Sequence, residues 1–176
     1  MSAAPLSAAK PRNRQDAEES TLFSLLAADS PGVLQRVCAL LSRRGINIDS
    51  IAVGGSERSG FSRITLQTAR DVHAAPTQIA HQLDKLIDVL DIANLPPQAA
   101  IQREIALIRL EACEAAISRV QQLSAGGRCE LVSASSAALL LQMSGEPRRI
   151  DELLRELAPH VRQVTRSGMI AALPEQ

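Results

Sequence analysis

The order of local patterns constrains this chain more than any other feature. From Thr21 it runs through strand-like, helix-like, strand-like, strand-like, helix-like and strand-like stretches. It breaks at Asn94-Leu95-Pro96-Pro97-Gln98-Ala99 and then repeats the same order. Two successive prolines remove backbone donors and push the residue before them towards extended geometry, so a domain boundary is placed there.

In the first half, Thr21 to Ala27 is a short apolar run ended by a turn signal, the pattern of a buried strand. Val33, Leu34, Val37, Cys38, Leu40 and Leu41 then recur at helical spacing. Ser30 is placed to cap that helix, Pro31 suits its first turn, and Gly45 stops it. Ile46 to Val53 is β-rich, but its apolar parity changes between Ile48 and Ile51, which predicts a bulge or a strand covered on both faces. Gly54 to Gly60 is the expected hairpin loop. Beyond it, Ile64 and Leu66 alternate with Arg63, Thr65 and Gln67, which predicts a strand with one wet face. Ile79, Leu83 and Leu86 mark a second helix, and Ile87 to Ile92 a last strand.

The second half begins with a strand from about Glu104 to Leu110 and a helix carrying Ala116, Ile117, Val120 and Leu123, which Gly126-Gly127 ends. Strands follow at Cys129 to Ala134 and Ala138 to Met143. Glu146-Pro147 opens a helix with Ile150, Leu153, Leu154 and Leu157 facing inward and Arg148, Asp151, Glu152, Arg155 and Glu156 facing water. A strand at Val161 to Val164 leads to Gly168. The expected fold class is α+β, two tandem ferredoxin-like βαββαβ units. Residues 1–20 form a disordered tail, 21–95 the first domain, 96–100 a linker and 101–176 the second domain. Each sheet carries both helices on one face, so the other face needs cover, and dimerisation is the expected solution.

Composition narrows the function. The 176 residues are 45% hydrophobic, enough to fill two small cores, and the formal net charge of +0 supplies no field to gather nucleic acid or an anionic membrane. Phe23 and Phe61 are the only aromatics, so there is no stacking platform for single strands. Cys38, Cys113 and Cys129 lack paired spacing and lie far from His73, His81 and His160, which argues against a metal site. With no apolar core of signal-peptide length and no membrane-span run, a cytoplasmic location is expected. Neither a nucleophile with its base nor a phosphate loop stands out. Gly54-Gly55 lies between strands and lacks the spacing of a dinucleotide loop, so no catalytic residue is assigned.

One turn invites a functional reading. Asp29-Ser30-Pro31-Gly32-Val33-Leu34 joins the first strand to the first helix. It puts unpaired helix N–H groups beside a glycine that lets a ligand approach the main chain, a geometry suited to a carboxylate. Asn47 can both donate and accept, so a helix N-terminus with Asn47 and Asp29 near it would meet both ends of an amino acid. Chemistry alone leaves this reading and an ordinary helix start both open.

The run from Leu25 to Thr68 resembles the N-terminal ACT domain of the small regulatory subunits of acetohydroxyacid synthase, also called acetolactate synthase. The resemblance rests on the Pro31-Gly32-Val33-Leu34 turn, Arg36-Val37, Arg44-Gly45-Ile46-Asn47-Ile48 with Ser50, and Ser62-Arg63-Ile64-Thr65. It continues through Gln82 to Ile92, Arg103 to Ile108 and Arg166-Ser167-Gly168. It implies a chain without catalysis of its own that dimerises through its ACT domains. Its partner would be a larger catalytic subunit carrying thiamine diphosphate, magnesium and FAD, which it activates. It would also confer feedback inhibition by valine in branched-chain amino-acid biosynthesis. The effector would lie between two ACT domains, and by position its site maps onto Asp29, Gly32, Val33, Leu34, Asn47 and Ile48. Asp29 stands where the family commonly has asparagine, and the segment Glu111 to Arg128 looks shorter than in the family. Two other readings compete: a stand-alone tandem-ACT amino-acid sensor acting on another protein, and an independent enzyme on a ferredoxin-like scaffold.

Overall fold

The computed structural model describes residues 20–68 and 75–174. The expected disordered tail, except Ser20, and His73 lie outside these residues. The chain divides into two compact units. Of the described residues, Arg103–Ser167 form one, and 20–102 with 168–174 form the other.

In the first unit, β1 (Thr21–Ala28), α1 (Val33–Arg43), β2 (Ile48–Gly55), β3 (Phe61–Thr68), α2 (Pro76–Leu83) and β4 (Val89–Leu95) give the expected βαββαβ order. The antiparallel sheet runs β2-β3-β1-β4. Phe23, Leu25 and Ala27 of β1 alternate towards the helices and pack with Val37, Leu41, Ile64, Leu66, Ile79 and Leu83 in one core. Each of the large buried side chains contributes about 1.5–3 kcal/mol through removal from water. The parity change in β2 is a register shift between Ile48 and Ser50, so the bulge is real. Gly45, at φ 71°, ends α1 as expected: its N–H reaches the Ser42 carbonyl and the Ile46 N–H reaches that of Leu41.

Four expectations for this unit need correction. Ser30 does not cap α1. The N-cap is Gly32, and no side chain caps the helix, because a left-handed residue at φ 87° turns the chain there. The helix at Ile79 ends at Leu83, and Leu86 packs against the core from the turn beyond it. The last strand starts at Val89 and runs through Asn94 and Leu95, so Ile87 is 98% exposed and only Pro96 onward breaks the pattern. Finally, the face of β3 expected to be wet is open only at Arg63: Thr65 and Gln67 are buried, and Gln67 Nε2 donates to Ser20 Oγ at 2.9 Å. Among the described residues Gln67 Oε1 is buried without a partner, a further sign that this part of the face is closed to water.

The cover over that face comes partly from the end of the chain. Leu22, Leu95 and Met169 form a small buried cluster, with Ala93, Ala100, Ala171 and Leu173 against it. Leu22 points away from the helices because it alternates with Phe23.

The second unit repeats the topology with β5 (Ile101–Glu111), α3 (Glu114–Ala125), β6 (Glu130–Ala134), β7 (Ala138–Gly145), α4 (Pro147–Leu157) and β8 (Val161–Arg166), in the antiparallel order β6-β7-β5-β8. A short β9 (Ile170–Ala172) pairs with β5 off this path. Ala106, Ile108, Leu110, Leu139, Leu141, Ile150, Leu153 and Leu157 fill the core, while Ile117 of α3 is exposed despite its helical spacing. Gly127, at φ 66°, closes α3 as expected.

Asp151 does not face water. It is buried, and with buried Glu104 it holds Arg166: Nε donates to Glu104 Oε1 at 2.9 Å, Nη2 to Oε2 at 2.5 Å and Nη1 to Asp151 Oδ1 at 2.6 Å. A guanidinium fork between two carboxylates overrides the helical pattern that placed Asp151 outside. Burial lowers the Arg166 pKa and the two carboxylates raise it; the net direction is upward, so the group stays charged.

Arg166→Met leaves two buried carboxylates without their counter-charge and should lower stability by about 3–5 kcal/mol in urea denaturation. A surface cluster yields a pH prediction. Hydrogen bonds from Arg128 hold the Glu156 carboxyl below the usual range; burial opposes them, and Arg119 adds a lesser contribution in the same downward direction. A carboxylate with a depressed folded pKa stabilises above its unfolded value, and that stability is lost as pH falls through the folded one. Glu156→Gln should therefore flatten the acid limb of a stability–pH profile and leave no added slope at neutral pH.

Candidate functional site

The turn between β1 and α1 is held from two sides. The Ala28 N–H donates to the Asp88 carbonyl at 2.8 Å, and the Asp29 N–H to that of Gly60 at 2.9 Å. The first α-helical bond closes from the Arg36 N–H to the Gly32 carbonyl at 3.0 Å, and the Val33 N–H makes a long contact of 3.4 Å to Ser30. Among the described residues, the N–H groups of Gly32, Leu34 and Gln35 have no protein acceptor. Helix N–H groups with the dipole behind them favour an anion.

The expected site residues have different environments. Asp29 is exposed on the turn. Val33 is a core residue, so its main chain alone faces outward, whereas Leu34 is exposed. Asn47 is also exposed, its Nδ2 donating to Asp49 Oδ1 at 3.0 Å, and Ile48 is half-buried against the core.

These residues do not converge within one chain. Ala28 pairs with Phe61 at one end of the sheet, while Ile48 and Thr21 both pair with Thr68 at the other. The eight residues of β1 separate those ends by about 25 Å, and the 11-residue α1 spans about 16 Å between the turn and Asn47. The expectation that Asn47 lies near Asp29 is therefore corrected. Succession along the chain placed it there, but an intervening helix carries it to the far end.

Arg36 was not among the expected site residues. One turn of helix beyond Gly32, its Nε donates to Asp88 Oδ2 at 2.6 Å, and its Nη1 lies 2.8 Å from where a Cβ on Gly32 would stand. The four-residue spacing from Gly32 is the sequence signal that finds it. The Asp88 carboxylate offsets most of the guanidinium's charge, so the anion-favouring character of this N-terminus rests on its open N–H groups. Among the described residues no three His, Cys, Asp or Glu side chains group to hold a metal, and no helix is long and apolar enough to cross a membrane.

A family model described as "AHAS small subunit-like ACT domain" matches residues 23–91, and another, "Small subunit of acetolactate synthase", matches 103–173. Together with the two βαββαβ units, this defines the class: an ACT-domain protein with a second unit of related topology. The acetolactate synthase small subunit of Mycolicibacterium smegmatis is 37% identical over 151 residues, which covers 85% of this chain and 88% of that protein. The Bacillus subtilis small subunit is 31% identical over 151 residues, with the same coverage of each. The solved small subunit from Thermotoga maritima has a TM-score of 0.81 at 29% identity, covering 89% of this chain and 98% of that one. The chain belongs to the acetolactate synthase small-subunit family.

Gly32→Ala would force a side chain into left-handed backbone and against Arg36. It should lower stability by about 1–3 kcal/mol, measured by chemical denaturation, and displace Arg36 from Asp88.

Proposed function

We propose that this chain is the regulatory subunit of acetolactate synthase: it raises the activity of the large catalytic subunit and confers feedback inhibition by valine in branched-chain amino-acid biosynthesis. Family matches over both units support the role, and the open N–H groups at Gly32, Leu34 and Gln35 carry the effector reading. The thiamine diphosphate, magnesium and FAD expected in such an enzyme belong to the catalytic partner.

The far-apart site residues support a site shared by two chains. β2 is an edge strand with exposed Val53, Gly54 and Gly55 at its end. Antiparallel pairing of β2 with its copy about a two-fold axis would bring the Asn47–Ile48 end of one strand to the turn-bearing end of the other sheet. The valine carboxylate then meets the N–H groups at Gly32 and Leu34, with Arg36 behind them. Asp29 meets the ammonium, and Asn47 and Ile48 of the second chain close the site. Valine inhibits by binding the less active assembly more tightly.

Mixing the purified chain with an acetolactate synthase catalytic subunit should raise acetolactate production, and valine should then lower it. Unchanged rate with no co-elution refutes the assignment. Gly32→Asp, which adds bulk and negative charge where the carboxylate approaches, should weaken valine binding at least about 10-fold, some 1.4 kcal/mol, and spare activation. Unchanged affinity by calorimetry would move the site elsewhere.

A further inference from the structure

The last described segment does more than cover a sheet face. On the face away from the helices, Ser50 of β2 pairs with Gln67 of β3, Gln67 with Leu22 of β1, and Leu22 with Leu95 of β4, a single row across all four strands. Met169 is attached to both ends of that row. Its N–H donates to Ser50 Oγ at 2.9 Å, and its side chain, 1% exposed, packs with Leu22 and Leu95. Gly168 comes so close to β2 that an added Cβ would stand 2.7 Å from the Ile51 carbonyl oxygen, and its φ of +80° excludes other residues as well.

The residues just before are anchored as firmly, but in the other unit. The Ser167 N–H donates to the Ile105 carbonyl at 2.9 Å, the Ile105 N–H donates to Ser167 Oγ at 3.0 Å, and Arg166 is held by Glu104 and Asp151. Of four consecutive residues, Arg166 and Ser167 are therefore fastened within the second unit, and Gly168 and Met169 within the first. Asn47 and Ile48 lie on the N-terminal side of Ser50, and the β2 bulge falls between Ile48 and Ser50. A bulge is where a strand bends, so a ligand gripping Asn47 and Ile48 would shift the strand where the segment is fastened.

We propose that Gly168–Leu173 is a coupling strap and that Ser50 and Gly168 are its positioning residues: through them, occupancy of the effector site is passed from β2 to Ser167 and β8. The strap rests on the effector reading above. It gives that reading a physical route, a contiguous chain of fastened groups rather than mere proximity.

The test uses the full chain with its catalytic partner and valine as probe. In the unaltered chain, saturating valine should slow amide exchange in 168–172 as well as in 47–53. Protection confined to 47–53 overturns the strap. Ser50→Ala, with Gly168→Ala as a second variant, should leave activation without valine and the valine dissociation constant of the chain unchanged while cutting the inhibition reached at saturating valine at least about 5-fold. Inhibition that persists while Met169 exchange accelerates overturns the proposal, as does inhibition lost only in parallel with affinity. If the unaltered chain binds no valine, the effector reading fails at its base and the strap falls with it. If valine binds but the variants inhibit normally, only the strap fails.

Discussion

A four-stranded antiparallel sheet with both helices on one face has two faces to satisfy and only one supplied with cover. Much else in this chain follows from that constraint. The helix side is filled by alternate residues of each strand, Phe23, Leu25 and Ala27 in the first unit and Ala106, Ile108 and Leu110 in the second. The other side is treated differently in the two units. In the first it closes over Leu22, Leu95 and Met169, with buried Thr65 and Gln67 beside them. In the second, Ile105 and Leu107 of β5 remain exposed on it, and β6 is exposed throughout. A regulatory chain that must meet a larger enzyme has reason to leave apolar surface uncovered.

The charges follow the same division. Exposed pairs such as Arg63 with Glu57 lie where water screens them, and they contribute little to stability. Arg166 sits between two buried carboxylates at the C-terminal end of β8, immediately before the chain leaves the second unit. A buried ion cluster is a poor source of net stability, but its forked geometry tolerates one arrangement, so it fixes where Ser167 begins.

Much of the fold was legible in the sequence because it rests on period and punctuation. The 2.0 and 3.6 residue repeats, the Pro96-Pro97 break and the stops at Gly45 and Gly127 gave both units their order, and the parity change at Ile48 and Ile51 located a true bulge. The errors arose where tertiary contacts overrode local pattern. Thr65 and Gln67 alternate as a wet face should, yet residues far along the chain help to bury that face. Asp151 falls on the polar side of its helix, yet Arg166 draws it in. Ile87 has strand propensity, yet the chain turns there so that Asp88 can meet Arg36. None of these can be found from neighbours in sequence.

The site was legible in chemistry but not in geometry. A glycine before a helix predicts free N–H groups, and Gly32 supplies them. Succession along the chain places Asn47 near them, but the sheet forbids it within one copy: β1 and β2 are both antiparallel to β3, so they run parallel to each other, and the end of β1 and the start of β2 lie at opposite ends of the sheet. For one ligand to touch both Gly32 and Asn47, a second copy must bring the missing half. A site divided in this way would be incomplete in the monomer and complete only in the assembly, so effector binding and association would draw on the same free energy. A ligand held between two copies stabilises the arrangement that forms its site, and any such bias at β2 acts at the strand to which the strap is fastened.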